Sequence, residues 1–460
     1  MSSDTIFALA TPPGRSGVAV VRISGAQALP MLCALTGRSE FTPRRAYLCN
    51  LYDSREHEEK IPSGRTLLDQ ALVLYFAAPS SFTGEDVVEI QPHGSPAVLR
   101  DLMDALASMQ GARMAEPGEF TRRAFEHGKM DLTEAEAVAD LIHAETQMQR
   151  AQALAQMNGQ LSSLYEDWTD QLKRALAHVE ADLEFPDEDM PEGILPQLLP
   201  QLTQLADAID DHLDDNNRGE RLRDGIHVAV IGAPNAGKSS LVNALAQRDV
   251  AIVSSMAGTT RDIIEVHLDV GGYPVIMADT AGLRPEQIAQ SDDAQDLIES
   301  EGIKRALDRA RGADLKMVVF DGTEVHANED SLALCDARTL VVVNKIEESN
   351  RLVLPDAIAK DAIFISVKSG QGLDTLLARM SEHLEKMIGQ REAPSLTRQR
   401  HRTALEQAQS HIVAACAQNR LPELAAEDLR LAVRYIGRIT GRVDVEDLLD
   451  VIFRDFCIGK

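Results

Sequence analysis

The sequence predicts a multidomain chain of α/β plus α class: an N-terminal α+β domain, a discontinuous helical domain, and an α/β domain inserted into the helical one. Three observations carry this. At the centre an apolar run, Ile226–Ile231, leads into a glycine-bounded octapeptide, Gly232–Ser239, and then into the helix-like stretch Ser240–Ala246. On either side of that central region apolar residues recur at steps of three and four, the period of a helix with one buried face. Ahead of residue 128 the apolar runs are short, strand-like and separated by turn residues.

In residues 1–128 the strand-like runs are Val18–Ile23, Ala71–Phe76 and Val87–Ile90. Pro12-Pro13-Gly14, Pro79-Ser80-Ser81 and Pro92-His93-Gly94 mark the turns, and Val98–Met109 has helical spacing. Residues 129–222 read as the first segment of the helical domain. Thr133 and Glu136 have the spacing of a capping box, with Leu132 just before it. One long stripe then follows through Leu154, Met157, Leu161, Leu164, Trp168, Leu172, Leu176, Val179 and Leu183, ending at Phe185-Pro186. A second helix runs through Leu198, Leu202, Leu205, Ile209 and Leu213. Residues 223–380 alternate strands with helices. Residues 381–460 return to helical patterning after Ala393-Pro394-Ser395, through Leu405, Ile412, Leu429, Val433, Ile436, Leu448, Leu449, Ile452 and Phe453. Stripes this long must be buried against something, so the first helical segment is expected to find its partner in the last.

A chain of 460 residues is long enough for about three domains. Its residues are 44% hydrophobic and 4% aromatic, which describes aliphatic cores, and no run of 18 apolar residues offers a membrane span. Met1-Ser2-Ser3-Asp4-Thr5 does not begin a secretory signal. The five cysteines are scattered and lack paired spacing, so they read as reduced thiols in a cytoplasmic protein. The net charge of −26 repels nucleic acid unless a local basic patch or a partner supplies the attraction.

Gly232–Ser239 fits the phosphate-cradling pattern, with strand before and helix after. Its glycines let backbone N–H groups wrap a β-phosphate, and the helix N-terminus adds positive potential. Lys238 would neutralise β and γ oxygens, and Ser239 would place a hydroxyl on Mg²⁺. Four further motifs follow in the order of a Ras-like G domain. Gly258–Asp262 supplies Thr260, suited to sensing the γ-phosphate and Mg²⁺. Asp279-Thr280-Ala281-Gly282 offers a carboxylate for metal-bound water and an N–H for the γ-phosphate. Asn344-Lys345-Ile346-Glu347 and Ser366-Val367-Lys368 each end a strand and suit recognition of a guanine base.

Two departures stand out. Glu347 occupies a position where Asp is usual, so its longer carboxylate must retract or its loop must shift, and ATP stays open as the alternative nucleotide. Leu283 stands where many small GTPases orient water with Gln. Asn235 and the carbonyl-rich segment Ser254–Thr259 offer a compensator: they can wrap a monovalent cation, K⁺, beside the β–γ bridge. The acid-rich residues 292–301 offer carboxylates to orient water, or simply form a solvated face.

Taken together the chain resembles the tRNA-modification GTPases of the MnmE (TrmE) family. The resemblance rests on Thr11–Gly17, Arg22–Gly25, Phe82–Asp86, Pro117–Phe120, the inserted G domain and the terminal Phe456–Lys460. It implies an N-terminal folate-binding-like dimerisation domain (1–128), a first helical segment (129–222), an inserted P-loop G domain (223–380) and a second helical segment with a C-terminal tail (381–460). It further implies transient G-domain dimerisation and K⁺-dependent GTP hydrolysis. With an FAD-binding partner subunit of the MnmG (GidA) family, carbon 5 of the wobble uridine of certain tRNAs would be modified.

The GTP contacts it implies are Asn235, Ala236, Gly237, Lys238, Ser239 and Ser240 at the phosphate loop. Ser254, Ser255, Met256, Ala257, Gly258, Thr259 and Thr260 follow, then Asp279, Thr280, Ala281 and Gly282. Asn344, Lys345, Glu347, Ser366, Val367 and Lys368 complete the set. Mg²⁺ falls to Ser239 and Thr260, and K⁺ to Asn235, Ser254, the Met256 carbonyl and Thr259. Glu299 matches the catalytic acid, and a 5-formyl-tetrahydrofolate-type cofactor maps onto Arg22, Glu89, Lys129 and Lys460.

Read from the residues alone, Arg22 and Glu89 each interrupt an apolar strand, as a structural ion pair or as holders of a polar ligand. Cys457 is either a small hydrophobe or, on a short tail near Lys460, a nucleophile or redox thiol. Arg398, Arg400, His401 and Arg402 form a basic cluster suited to RNA or partner contact, or a solvated helix face. A competing reading of the whole is a GTP-driven RNA or ribosome assembly switch, which should carry a basic RNA-binding module.

Overall fold

The computed structural model describes residues 4–53, 66–184, 194–248, 250–252, 265–279, 312–347, 351–389, 394–418, 420–443, 446–454 and 456–459. The chain divides into two compact units. One comprises Met1–Ala139, Ser162–Arg174 and Arg430–Lys460, the other Asp140–Leu161 and Ala175–Leu429.

The first unit is built on a six-stranded sheet of β1 (Thr5–Leu9), β2 (Val21–Ser24), β3 (Tyr47–Tyr52), β4 (Leu67–Phe76), β5 (Val87–Gln91) and β6 (Ala112–Met114). Its order is β3-β4-β5-β2-β1-β6, antiparallel except for β1 with β6. Side chains alternate across it. Phe7 joins Val21, Ile23, Val73 and Ile90 beneath α1 (Ala28–Thr36) and α2 (Pro96–Ala107), whereas Ile6 and Ala8 face Phe120 on the other side. Pro96 starts α2 at a position where the missing N–H costs nothing, and Gly37 closes α1 in the left-handed conformation, φ 70°.

α3 (Glu119–Glu126), α4 (Leu132–His143) and α15 (Glu446–Arg454) complete this unit, with Leu132, Ala135, Leu449, Phe453 and Phe456 buried together. The α4 cap lies two residues earlier than its spacing predicts. The Asp131 carboxylate accepts from the Glu134 amide at 2.8 Å and Glu134 accepts from the Asp131 amide at 2.8 Å, while Thr133 is buried against Ser162.

In the second unit the sheet runs β12-β11-β10-β7-β9-β8. Its strands are β7 (Ile226–Ile231), β8 (Glu265–Val270), β9 (Tyr273–Asp279), β10 (Leu315–Asp321), β11 (Thr339–Asn344) and β12 (Ile363–Phe364). All pairs are parallel except the β8–β9 hairpin, whose turn needs positive φ at Gly271 and Gly272. Near-continuous apolar strands such as Leu315–Phe320 are what a sheet covered on both faces requires.

The stripe expected as one helix is two. α5 (Gln147–Met157) ends at Asn158-Gly159, where Gly159 takes φ 80°; it buries Ala153 and Gln156 and leaves Leu154 and Met157 exposed, so the buried stripe begins at Leu161 in α6 (Gln160–Glu184). The chain enters the α/β domain through α7 (Leu195–Leu213) and α8 (Arg218–Asp224), passes the short α10 (Glu329–Ala333) and α11 (Asp356–Ala359), and leaves through α12 (Leu373–Ile388) toward α13 (Gln399–Ala415). These crossings are stitched together by hydrogen bonds. Gln152 Nε2 donates to the Gly219 carbonyl (3.0 Å), Arg223 Nη1 to the Thr397 carbonyl (2.9 Å), and Thr397 Oγ1 to Gln156 Oε1 (3.0 Å). Gly219 is needed for the contact, since a Cβ there would meet the Leu396 carbonyl oxygen at 2.0 Å.

Arg398, His401 and Arg402 of the basic cluster at 398–402 belong to this joint and form neither a free RNA surface nor a solvated face. Arg398 pairs with Asp140 at 2.7 Å, Arg402 with Asp215 at 2.6 Å, and His401 is fully buried. Their charges are neutralised inside the fold. α14 (Pro422–Thr440) then carries the chain on to α15.

Burial beside this cluster drops His212 to about 4, with His401 and Arg402 adding to the effect and Asp215 opposing it. A folded-state pKa below the unfolded value of about 6.5 means that unfolding takes up a proton as pH falls. The stabilisation is present above pH 6.5 and lost toward pH 4, by about 3 kcal/mol at most. Urea denaturation at stepped pH should show this fall, and His212→Gln should flatten it.

Candidate functional site

The phosphate loop leaves the carboxyl end of β7, the strand from which neighbours extend in opposite directions, where parallel sheets of this kind bind ligands. Gly232 runs so close to β10 that a Cβ would meet the Val319 carbonyl oxygen at 2.2 Å. Asn235 adopts φ 65° and Gly237 φ 96°, so the loop curls before α9 (Lys238–Ala246) begins. Ala236 is buried and pins the loop, while Asn235, Ser239 and Ser240 are exposed. Lys238 Nζ donates to the Gly232 and Ala233 carbonyls, both at 2.9 Å, which keeps the ammonium inside the loop. N–H groups at a helix start beside an ammonium make a built anion site.

The second wall comes from β10, β11 and the turn after β12. Asn344, 3% exposed, donates through Nδ2 to the Ala236 carbonyl (3.0 Å) and accepts at Oδ1 from the Val367 amide (3.2 Å). One side chain thus joins the phosphate loop to the Ser366 turn. A Cβ on Gly237 would strike that amide at 2.2 Å. Lys345, at φ 65°, pairs with Asp321 Oδ2 at 2.6 Å, and Asp321 also accepts from the Thr323 amide and hydroxyl at 3.0 and 2.7 Å. Although burial opposes it, these contacts hold the Asp321 carboxyl below the usual range. Ser366 is fully buried, and its hydroxyl oxygen accepts from the Ser369 amide at 3.1 Å. Its side chain also hydrogen-bonds Glu347 and is the main reason that exposed carboxyl sits below its ordinary range, with smaller contributions from the Glu347 amide, Lys368 and Lys345.

Of the expected nucleotide contacts, Asn235–Ser240, Asn344, Lys345, Glu347 and Ser366–Lys368 gather around this end of the sheet. Asp279 ends β9 beside β7, with backbone described. Ser254, Ser255, Met256, Ala257, Gly258, Thr259, Thr260, Thr280, Ala281, Gly282 and Glu299 lie outside the described residues, as does Lys460. Sequence reasoning missed Asp321. Its signal was an acid closing an apolar strand that points the same way as the phosphate-loop strand.

In the N-terminal unit Arg22 and Glu89 face each other across β2 and β5. Arg22 Nε and Nη2 both donate to Glu89 Oε1, at 3.1 and 2.9 Å. Phe82 and Phe120 lie 5.4 and 5.8 Å from the guanidinium, and its Nη1 reaches the Gly459 carbonyl at 3.5 Å. The C-terminal tail is thereby brought to this pair. Pro117 bridges Ile458, the Gly118 amide donates to the Cys457 carbonyl at 3.4 Å, and Cys457 itself is exposed. Lys129 is tied elsewhere, its Nζ donating to the Pro79 carbonyl at 3.0 Å.

Sheet order, phosphate loop and base-side turn together define a P-loop GTPase domain of the Ras-like kind, carried within a larger chain. The sequence matches the family description "GTP-binding protein TrmE N-terminus" over residues 5–129 and "MnmE helical domain" over residues 132–457. It is 51% identical to the tRNA modification GTPase MnmE of Parvibaculum lavamentivorans over 99% of this chain and 100% of that protein. Identity to the proteins of the same name from Paramagnetospirillum magneticum and Rickettsia rickettsii is 50% and 47%, over 100% and 99% of this chain and the whole of each relative. The chain belongs to the MnmE (TrmE) family of tRNA modification GTPases, and is a GTP-hydrolysing enzyme. Among the described residues no helix is long and apolar enough to cross a membrane.

Asn344→Ala leaves the Ala236 carbonyl and Val367 amide without their shared partner. It should cost about 1–3 kcal/mol of stability and weaken GDP binding at least tenfold. Fluorescent-GDP titration beside thermal unfolding checks both.

Proposed function

We propose that this enzyme couples K⁺-dependent GTP hydrolysis to modification of carbon 5 of the wobble uridine in certain tRNAs, toward carboxymethylaminomethyl-type groups. It would do so as a homodimer through residues 1–128, in a heterotetramer with an FAD-binding subunit of the MnmG (GidA) family in the cytoplasm. The domains would be 1–128, 129–222, 223–380 and 381–460. The observation that carries the reading is the Asn344 bridge between phosphate loop and Ser366 turn, in a chain similar over its length to proteins named tRNA modification GTPases.

In this reading the loop amides and Lys238 hold the β- and γ-phosphates, and Glu347 accepts from the guanine N1–H and amino group. Lys345 lies along the base while its salt bridge to Asp321 fixes the loop. Ser239 and Thr260 would hold Mg²⁺. Asn235, Ser254, the Met256 carbonyl and Thr259 would hold K⁺, and exposed Asn235 on the curled loop is a donor that suits it. When bound, K⁺ would supply positive charge at the β–γ bridge, as an arginine finger does. Glu299 would orient the attacking water.

Arg22 and Glu89, flanked by Phe82 and Phe120, offer charged hydrogen-bonding groups beside aromatic faces. Such a donor set suits the flat heterocycle of a 5-formyl-tetrahydrofolate-type cofactor, and the resemblance adds Lys129 and Lys460 to it. Cys457 would act in the modification chemistry beside it. The assembly-switch alternative lacks its basic module at 398–402, because those charges are consumed internally.

GTP turnover should rise at least tenfold in KCl over NaCl at equal ionic strength, and Glu299→Ala should cut it at least a hundredfold. Equal rates in the two salts would remove K⁺ from the mechanism. Cys457→Ser should leave the tRNA pool unmodified at carbon 5 by nucleoside mass spectrometry, and a fully modified pool would reduce the cysteine to packing.

A further inference from the structure

Three arginines cluster on one exposed segment of this acidic chain. Arg38, Arg44 and Arg45 lie in the exposed segment between α1 and β3, with one acid, Glu40, among residues 37–47. Arg22, Arg113, Arg123, Arg398 and Arg402, by contrast, are held in ion pairs. Among the described residues no carboxylate lies within ion-pair range of Arg38, Arg44 or Arg45. Their polar contacts are backbone carbonyls: Arg38 Nε donates to Glu40 at 2.7 Å and Arg44 Nη2 to Ser80 at 2.8 Å.

The groups are nonetheless held in place. The Arg38 guanidinium sits 4.4 Å from the Tyr47 ring and 5.5 Å from Phe41, and Arg45 lies 5.5 Å from the same Tyr47 ring. Phe41 and Tyr47 meet edge to face at 5.3 Å, so the platform is rigid. Arg44 takes φ 60°, an uncommon conformation for a residue with a Cβ, fixed by its amide donating to the Tyr75 carbonyl at 2.7 Å. Two like charges on one ring repel each other, and the ring quadrupole offsets only a fraction of that. An anion that spans them would relieve the remainder.

We propose that Arg38, Arg44 and Arg45, arrayed around Tyr47, form a docking surface for the phosphate backbone of the tRNA. This rests on the tRNA reading above and assigns it a surface. Planar guanidiniums with free N–H edges suit bidentate contact to phosphate, and such contacts position an RNA without reading its sequence. A local positive patch is also what a chain of net charge −26 needs before it can approach a polyanion. An acidic protein surface is the competing partner. The aromatic-backed arginines and the family's tRNA chemistry favour RNA.

The test is fluorescence anisotropy with labelled bulk tRNA and full-length protein across a salt series. The Arg38→Ala/Arg44→Ala/Arg45→Ala variant should bind at least tenfold more weakly. Its slope of log affinity against log salt should be shallower by about 2 to 3, close to 0.9 for each phosphate no longer neutralised. Replacement of all three by Lys should restore most of the slope. GTP turnover and melting temperature, read on the same samples, should match the parent. If the parent binds tRNA and the Ala variant binds with the same affinity and slope, the surface is overturned. If the parent itself shows no affinity for tRNA, the tRNA reading falls, and this proposal with it.

Discussion

Asn344 holds the nucleotide site together. Its side-chain amide is buried, its nitrogen bound to the Ala236 carbonyl in the phosphate loop and its oxygen to the Val367 amide in the turn after β12. A buried amide with both ends satisfied is worth more than its two hydrogen bonds, because losing either partner strands a polar group. Everything nearby is shaped around it. Gly237 must be glycine because a methyl would occupy the space of the Asn344 amide, and Lys345 must turn left-handed to meet Asp321 while Asn344 stays in place.

The parallel sheet makes that arrangement possible. β7, β10 and β11 run side by side in register, so Gly232, Asp321 and Asn344 emerge at the same end. Binding groups sit on the loops, and the buried strands below fix where those loops start. The N-terminal unit uses antiparallel strands to similar effect, placing Arg22 opposite Glu89 by register alone, then closing the pair with the C-terminal tail through Gly459.

What was legible in the sequence was local. The octapeptide at 232–239, the Asn344–Glu347 loop and the Arg22 and Glu89 interruptions each announce themselves within a few residues. Strands β1, β3, β6, β8 and β10 are not marked individually in the sequence: β6 is three residues long, and β3 alternates too weakly to stand out from its surroundings. The stripe from Leu154 to Leu183 concealed a break because the apolar period continues in phase across Asn158-Gly159, and only the glycine marks it. The α4 cap moved to Asp131 because Thr133 was needed inside, against Ser162. Pairings across long stretches of chain could not be read at all. The 398–402 cluster looks basic in sequence because Asp140 and Asp215, which neutralise Arg398 and Arg402, are remote along the chain, whereas only the fold gathers Arg38, Arg44 and Arg45 around one ring.

A phosphate loop, braced by one buried asparagine, grips guanine nucleotide at the carboxyl end of the inserted sheet. Calorimetric titration of the purified chain with GDP and with ADP, both with Mg²⁺, tests it most directly. Saturable GDP binding at least about a hundredfold tighter than ADP is expected, as a site built to hydrogen-bond one base rejects the other. Equal affinity for the two, or none for GDP, would contradict it.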